Sequence, residues 1–230
     1  MVIKPWPELD TELLNYIRRR MDDIPRSPGI HGYDLIFCNY KFKFRSEKKN
    51  PPVDDRTLLL YWMGHAFQYF LVPSKIENIF PSFVFSEPKE YVLDGVPLTP
   101  DIVNLKLDKI TLALGELKTT RANKDKFSPQ ESPHYLEQII NYCKVLDLLD
   151  GALIVLFICG NYAPPFPSLK SWHIWFTKKE VNENWEKELE KKAILEECQK
   201  SGGFPTKHFM AFSAECKFCE CKEICPKKNG

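Results

Sequence analysis

"PDIVNLKLDKITLALGELKTT", residues 100–120, alternates apolar and polar side chains through two runs and then turns the apolar stripe over to charge. Alternation puts Ile110, Leu112, Leu114, Glu116 and Lys118 on one face of a strand, and Asp101, Val103, Leu105 and Leu107 on one face of the run before it. With Asp108 and Lys109 as the tight turn, Leu107 opposes Ile110, Leu105 opposes Leu112, Val103 opposes Leu114, and Asp101 opposes Glu116. Every apolar pair is matched before the two carboxylates meet. Opposed β-carbons lie about 4.5–5.5 Å apart, so the acids repel unless something neutralises them. A frayed hairpin end with both acids in water is the bland alternative, but Lys118 continues the ionisable run on the same core-facing stripe. A divalent cation between Asp101 and Glu116 would remove the repulsion, since Mg²⁺ and Mn²⁺ take carboxylate oxygens and keep several waters. Such a water, acidified by the ion and positioned by Lys118, would be a nucleophile toward a phosphodiester. The lysine would also stabilise charge on the phosphoryl oxygens.

The surrounding chain has 230 residues, 43% of them hydrophobic and 27% charged, as in an ordinary globular protein. The expectation is a single domain, residues 1–230, with its core at about 55–180. No window holds eighteen consecutive apolar residues, so no membrane partner is expected. The opening "MVIKPWPELD" lacks the basic-then-apolar layout of a secretory signal, and an intracellular, cytoplasmic protein is expected. A formal net charge of +1 excludes a global basic field. Local basic stretches remain: Arg18 to Arg20, and "KFKFRSEKK" at 41–49, whose interleaved Phe42 and Phe44 suit a surface that tracks a nucleic-acid backbone.

Leu13, Leu14, Ile17 and Met21 have helical spacing, so a helix is expected over about 9–21, and a second over 57–72 with Asp55 as its cap. Residues 76–118 read as β, with "FVF", "YVL" and the hairpin in sequence. In "SPHYLEQIINYCKVLDLLDG", Ser132 suits the N-cap, Pro133 the first helical position and Gly151 the C-terminal stop. "ALIVLFIC" and "SWHIWF" read as strands, and a charged helix follows at roughly 181–200. The order predicts a mixed α/β core.

Of eight cysteines, Cys216, Cys219, Cys221 and Cys225 crowd the tail as "CKFCECKEIC". In an intracellular chain such clustering indicates metal or cluster ligation rather than disulfides. Cys143, Cys159 and Cys198 lie on apolar stretches and read as buried small hydrophobes.

"PDIV" at 100–103 followed by "GELK" is a Pro-Asp…Glu-x-Lys pattern and resembles the PD-(D/E)xK nuclease superfamily. Gln138 and Tyr142, at i and i+4 on one helix face, match the Gln-x-x-x-Tyr motif of its RecB-type members. His65 in "MGHAFQ" looks like the histidine that supplies a further metal ligand in that branch. Cys216, Cys219 and Cys225, spaced C-x2-C-x5-C, together with the early Cys38, resemble the iron–sulfur RecB-type exonucleases. The likeness is greatest to the CRISPR-associated family that is the fourth Cas protein, and it covers about residues 31–228.

The resemblance implies a restriction-endonuclease-like mixed β-sheet core flanked by helices. A [4Fe–4S] cluster on Cys38, Cys216, Cys219 and Cys225 would clamp residues of about 31–50 to the tail at about 205–228. It implies a metal-dependent DNA exonuclease acting on single-stranded ends, in CRISPR spacer acquisition or in recombination and repair, with CRISPR integration proteins or a helicase as partners. Asp101, Glu116, His65 and the backbone carbonyl of Leu117 would hold Mn²⁺ or Mg²⁺, Lys118 would position the attacking water, and Gln138 and Tyr142 would orient the lysine or contact the DNA backbone. Closing so long a loop costs on the order of 4–5 kcal/mol, within reach of four-thiolate ligation, since structural zinc sites supply about 10–16 kcal/mol. Two alternatives stand beside this. Cys221 allows a zinc site made of tail cysteines alone, giving a zinc-stabilised repair or restriction-type nuclease; or the fold serves as a catalytically weak DNA-binding subunit.

Overall fold

The computed structural model describes residues 11–12, 14–15, 17–19, 27–47, 53–71, 89–107, 110–158, 167–211 and 215–226. In chain order the elements are α1 (Gly32–Ile36), α2 (Asn39–Ser46), α3 (Asp55–Leu71), β1 (Tyr91–Leu93), β2 (Val96–Leu98), β3 (Ile102–Leu107), β4 (Ile110–Thr120), α4 (Pro133–Leu146), β5 (Asp150–Phe157), β6 (Ser168–Trp175) and α5 (Lys178–Ser201). The described part of residues 9–21 is helical. The "FVF" run at 83–85, the turn at Asp108 and Lys109, and Cys159 lie outside the described residues.

β3 and β4 pair antiparallel in the expected register: Leu107 faces Ile110, Leu105 faces Leu112, Val103 faces Leu114 and Ile102 faces Gly115. β5 then pairs parallel with β4, and β6 antiparallel with β5, giving a mixed four-stranded sheet in the order β3-β4-β5-β6. The parallel step exists because α4 carries the chain back across the sheet between β4 and β5. β1 and β2 form a separate antiparallel ribbon. The fold is therefore mixed α/β with helices against the sheet, as the element order predicts. Among the described residues no helix is long and apolar enough to cross a membrane.

Leu114, Ile139, Cys143, Leu153, Val155 and Phe157, all fully buried, centre the core between α4 and the sheet. Cys198 is buried as well, so the expectation of buried small hydrophobes holds for both described cysteines of that group. Gly151 does not stop α4. That helix ends at Leu146 with Asp147 in the left-handed region at φ 52°, a conformation that aspartate tolerates better than most residues. Gly151 lies instead in β5, where a β-carbon would come within 3.0 Å of Ile139 and 3.1 Å of Leu114. Both neighbours are fully buried. Gly151→Ala is expected to cost about 1–3 kcal/mol through overpacking, read as a lower urea midpoint; an unchanged midpoint would refute this account of the close approach.

Two other local expectations are corrected. Asp54, not Asp55, caps α3, because its Oδ1 accepts from the Thr57 N–H at 3.0 Å. The basic run at 41–49 is not a free surface over its described part, because most of it forms α2 and packs inward. Lys43 is buried, with its Nζ donating to the Gly202 carbonyl and paired with Glu47. Lys41 pairs with Glu215 and Glu220, Phe42 enters the main core, and Phe44 packs beside Cys38.

α5 starts on a reciprocal cap between Thr177 and Glu180 and buries Glu188 completely against α4. Burial drives the Glu188 carboxyl up to about 8 despite the adjacent Lys191, with Glu137 adding to the rise. Lys191 Nζ bonds both Glu137 Oε1 at 2.5 Å and Glu188 Oε1 at 2.8 Å. A carboxyl whose pKa is raised on folding contributes stability that is complete below its ordinary pKa and lost as pH rises through the folded value. Glu188→Gln is therefore expected to flatten the fall of the urea midpoint between pH 5 and pH 9. A variant with the wild-type slope would contradict this.

Candidate active site

The long strand β4 serves two partners in turn. Up to Gly115 it pairs with β3, and from Gly115 to Thr120 with β5. Beyond Gly115, among the described residues, no strand covers β4 on the β3 side, and a cleft of about 1020 Å³ opens there. Asp101, Glu116, Leu117, Lys118, His65, Gln138 and Tyr142 all line it.

Asp101 sits one residue before β3, continuing the register that sets it against Glu116. Its Oδ2 accepts the Leu117 N–H at 2.9 Å, which fixes the carboxyl over the strand. Glu116 is 1% exposed. Its Oε1 accepts a hydrogen bond from Lys118 Nζ, while Oε2 is buried and accepts no hydrogen bond. Burial first, and then the charge of Asp101, push the Glu116 carboxyl up to about 8 against the pull of Lys118. Burial also opposes the charge on Lys118, but Glu116 and Asp101 outweigh it and hold the ammonium above its ordinary pKa. Fully ionised, two carboxylates against one ammonium would carry one surplus negative charge in a desolvated site; a proton on Glu116, hydrogen-bonded to Asp101, cancels it. That donor set fits a hard divalent cation, and the shifts have the sign that a proton takes when it stands in for one.

α4 closes the core-facing side. Ile139 approaches Leu114, which places the helix on the face carrying Glu116 and Lys118, and the Tyr142 hydroxyl is bonded to Gln138. Burial raises the Tyr142 phenol well above its ordinary pKa, with Glu116 and Asp101 adding to the rise. Gln138 thus supports Tyr142 beside the carboxyls, while the hydrogen bond of Lys118 goes to Glu116. Tyr135 belongs to the same stripe, three residues before Gln138, and Lys118 Nζ lies 5.6 Å from its ring centroid. Helical spacing could have flagged it.

His65 enters from the other side. A β-carbon at Gly64 of α3 would lie 3.4 Å from Thr119 Oγ1, and alternation turns Thr119 away from the face of Glu116 and Lys118. His65 consequently lines the cleft without closing on the two carboxyls; among the described residues, no three His, Cys, Asp or Glu side chains converge on one point tightly enough to hold a metal ion.

Cys38, Cys216, Cys219, Cys221 and Cys225 line a second cavity, of about 200 Å³, together with His208, Lys41 and Tyr40, without any three of them converging closely enough to hold a metal ion. Glu215 ties the two chain segments by accepting the Cys38 N–H at 3.0 Å and the Ala211 N–H at 2.9 Å. His208 Nε2 lies 3.3 Å from Cys38 Sγ, a neighbour that the cysteine spacing alone did not announce. Burial pushes the Cys38 thiol up to about 11 and Cys221 up to about 12, and raises Cys219 as well. Thiols in that state are neutral, and only a nearby positive centre would make them thiolates. Cys221 is 1% exposed, whereas Cys216 is on the surface.

No protein-family model matches the sequence, and no curated protein matches it. The fold is similar to the crystal structure of SSO0001, with a TM-score of 0.57 and 17% sequence identity. The match covers 96% of this chain and 98% of that one. At that identity the similarity is one of fold.

Proposed function

We propose that the protein is a metal-dependent deoxyribonuclease of the PD-(D/E)xK type, with a restriction-endonuclease-like fold, that hydrolyses single-stranded DNA ends. One observation carries the reading: a buried Glu116 oxygen without a donor, beside Asp101 and Lys118, at the edge of an open cleft. A divalent cation, Mn²⁺ or Mg²⁺, bound by Asp101 and Glu116 would supply Lewis acidity and a water of lowered pKa. Asp101, pinned by the Leu117 N–H, and Glu116 would hold it, with the Leu117 carbonyl and a closing His65 completing the set. Lys118 would turn from Glu116 to orient the attacking water and offset charge on the phosphoryl group. The bonded pair of Gln138 and Tyr142 keeps bulk water from the inner side of the carboxyls.

The cysteine cavity supports a structural cluster that joins Cys38 to the tail. Five cysteines line one cavity of about 200 Å³, and the likeness to the iron–sulfur RecB-type exonucleases favours a [4Fe–4S] cluster over one zinc ion. Zinc held by Cys216, Cys219, Cys221 and Cys225 is the second reading, and the burial of Cys221 is the observation in its favour. Iron and zinc analysis of the purified protein separates them. Spacer trimming beside CRISPR integration proteins and DNA repair beside a helicase are the proposed settings, both inside the cell.

The function is tested by incubating end-labelled single-stranded DNA with the protein and Mn²⁺ or Mg²⁺. Progressive shortening that stops in EDTA is expected. Intact DNA under every divalent ion would reject the enzyme and leave a binding subunit.

A further inference from the structure

The Lys118 ammonium has a second neighbour that the carboxylate chemistry does not use. Its Nζ donates to Glu116 Oε1 and also stands over the ring of Tyr135, 5.6 Å from the centroid. Tyr135 belongs to the first turn of α4, where its N–H donates to the Ser132 carbonyl at 2.9 Å. The ring is held by its surroundings. The His134 ring lies 4.1 Å from it and the Phe127 ring 6.4 Å, and Phe127 is itself 5.4 Å from both Phe157 and Trp172. The aromatic face beside the lysine is therefore fixed by the core.

Under the proposed chemistry Lys118 turns from Glu116 toward the water once Asp101 and Glu116 hold a divalent cation. Its side chain is 21% exposed, so an ammonium released there can leave through the cleft into solvent unless something attracts it. An aromatic face does so without disturbing the reaction. The ring quadrupole attracts a cation, most strongly where water is excluded. It takes up no carboxylate oxygen that the metal needs, and it leaves the N–H groups pointing away from the ring free to donate.

We propose that Tyr135 is a positioning residue: its ring holds the Lys118 ammonium in the site when Glu116 turns its oxygens to a divalent cation, so that the lysine's N–H groups stay aimed at the attacking water and the phosphoryl oxygens. The proposal rests on the nuclease reading for the water and the phosphoryl group, and on the shared cation for the event that frees the lysine. The phenol hydroxyl has no part in it, because the attraction comes from the π face.

Two measurements test it. In protein whose lysines carry ¹³C-methyl groups, added by reductive methylation that keeps the charge, the Lys118 resonance is identified by its loss in Lys118→Arg. On saturation with Mg²⁺ it is expected to stay shifted upfield by the ring in wild type and Tyr135→Phe. In Tyr135→Leu and Tyr135→Met it is expected at the position of an ordinary lysine. In single-turnover cleavage with Mn²⁺, Tyr135→Phe is expected to match wild type and Tyr135→Leu to be about tenfold slower, with the affinities for Mn²⁺ and DNA unchanged. Mono-, di- and trifluorinated phenylalanines at position 135 keep the shape and drain charge from the face, so they should slow cleavage stepwise. A Lys118 resonance that loses its ring shift in wild type on adding Mg²⁺, or a rate independent of fluorination, would overturn the proposal and leave a ring that only fills space. The nuclease reading fails separately, when wild type leaves DNA intact although the resonance behaves as expected. If no divalent cation binds, both fall.

Discussion

Glu116→Ala is expected to reduce cleavage of single-stranded DNA at least about a thousandfold, with several kcal/mol of transition-state stabilisation lost along with the cation. The same change is expected to leave the metal-free fold intact or to stabilise it. Glu116 is 1% exposed, its Oε2 accepts no hydrogen bond, and Asp101 presses a like charge on it. A fold does not gain by burying such a group, so the acid is a cost that activity would justify. Lys118 loses its partner in the variant but reaches solvent through the cleft, its side chain being 21% exposed. Glu116→Gln keeps the shape and should give the same pair of results: no turnover, and a melting temperature in EDTA at or above wild type. Lys118→Ala should lose activity while still binding Mn²⁺. If Glu116→Ala cleaves at the wild-type rate, the reaction occurs elsewhere; if it loses activity only because it unfolds, the assignment fails on stability grounds.

With the proposed [4Fe–4S] cluster joining Cys38 to the tail, wild type is expected to be brown and iron-bearing, and Cys38→Ala to lose iron and colour and to melt roughly 10–20 °C lower. The figure follows from loop closure. Joining Cys38 to the tail removes about 5 kcal/mol of unfolded-chain entropy, and in a chain of this size each kcal/mol moves the midpoint by about 2–4 °C. Hydrogen bonds from Cys38 to Glu215 and from Asn39 to Lys207 already hold the same two segments, so native packing remains and the loss is read as stability. Colourless wild-type protein with stoichiometric zinc, unchanged in Cys38→Ala, would reject the clamp and favour ligation by the tail alone.

The hairpin was legible because its period-2 alternation runs the length of both strands, so a shift of one residue would have turned every apolar side chain outward. That constraint outweighed a turn sequence without the preferred chemistry. Gln138 and Tyr142 were legible through helical spacing, and the cysteines through crowding. Gly151 misled because glycine serves equally at helix ends and at close strand approaches, and only the positions of Ile139 and Leu114 decide between them. The basic run at 41–49 misled because composition does not say which side of a helix is covered. α2 is wedged between the main core and the cysteine pocket, so the lysines at 41 and 43 are held by acceptors from the distant tail and from Glu47.

Binding of Mn²⁺ to the full chain, followed by the loss of its free electron-paramagnetic-resonance signal, tests the shared-cation site most directly. One site is predicted in wild type, with affinity rising as pH approaches about 8, where the Glu116 proton that competes with the ion is released. The site should vanish in both Asp101→Asn and Glu116→Gln. Undiminished binding in either variant would contradict it, because the two carboxyls would then not be holding the same ion.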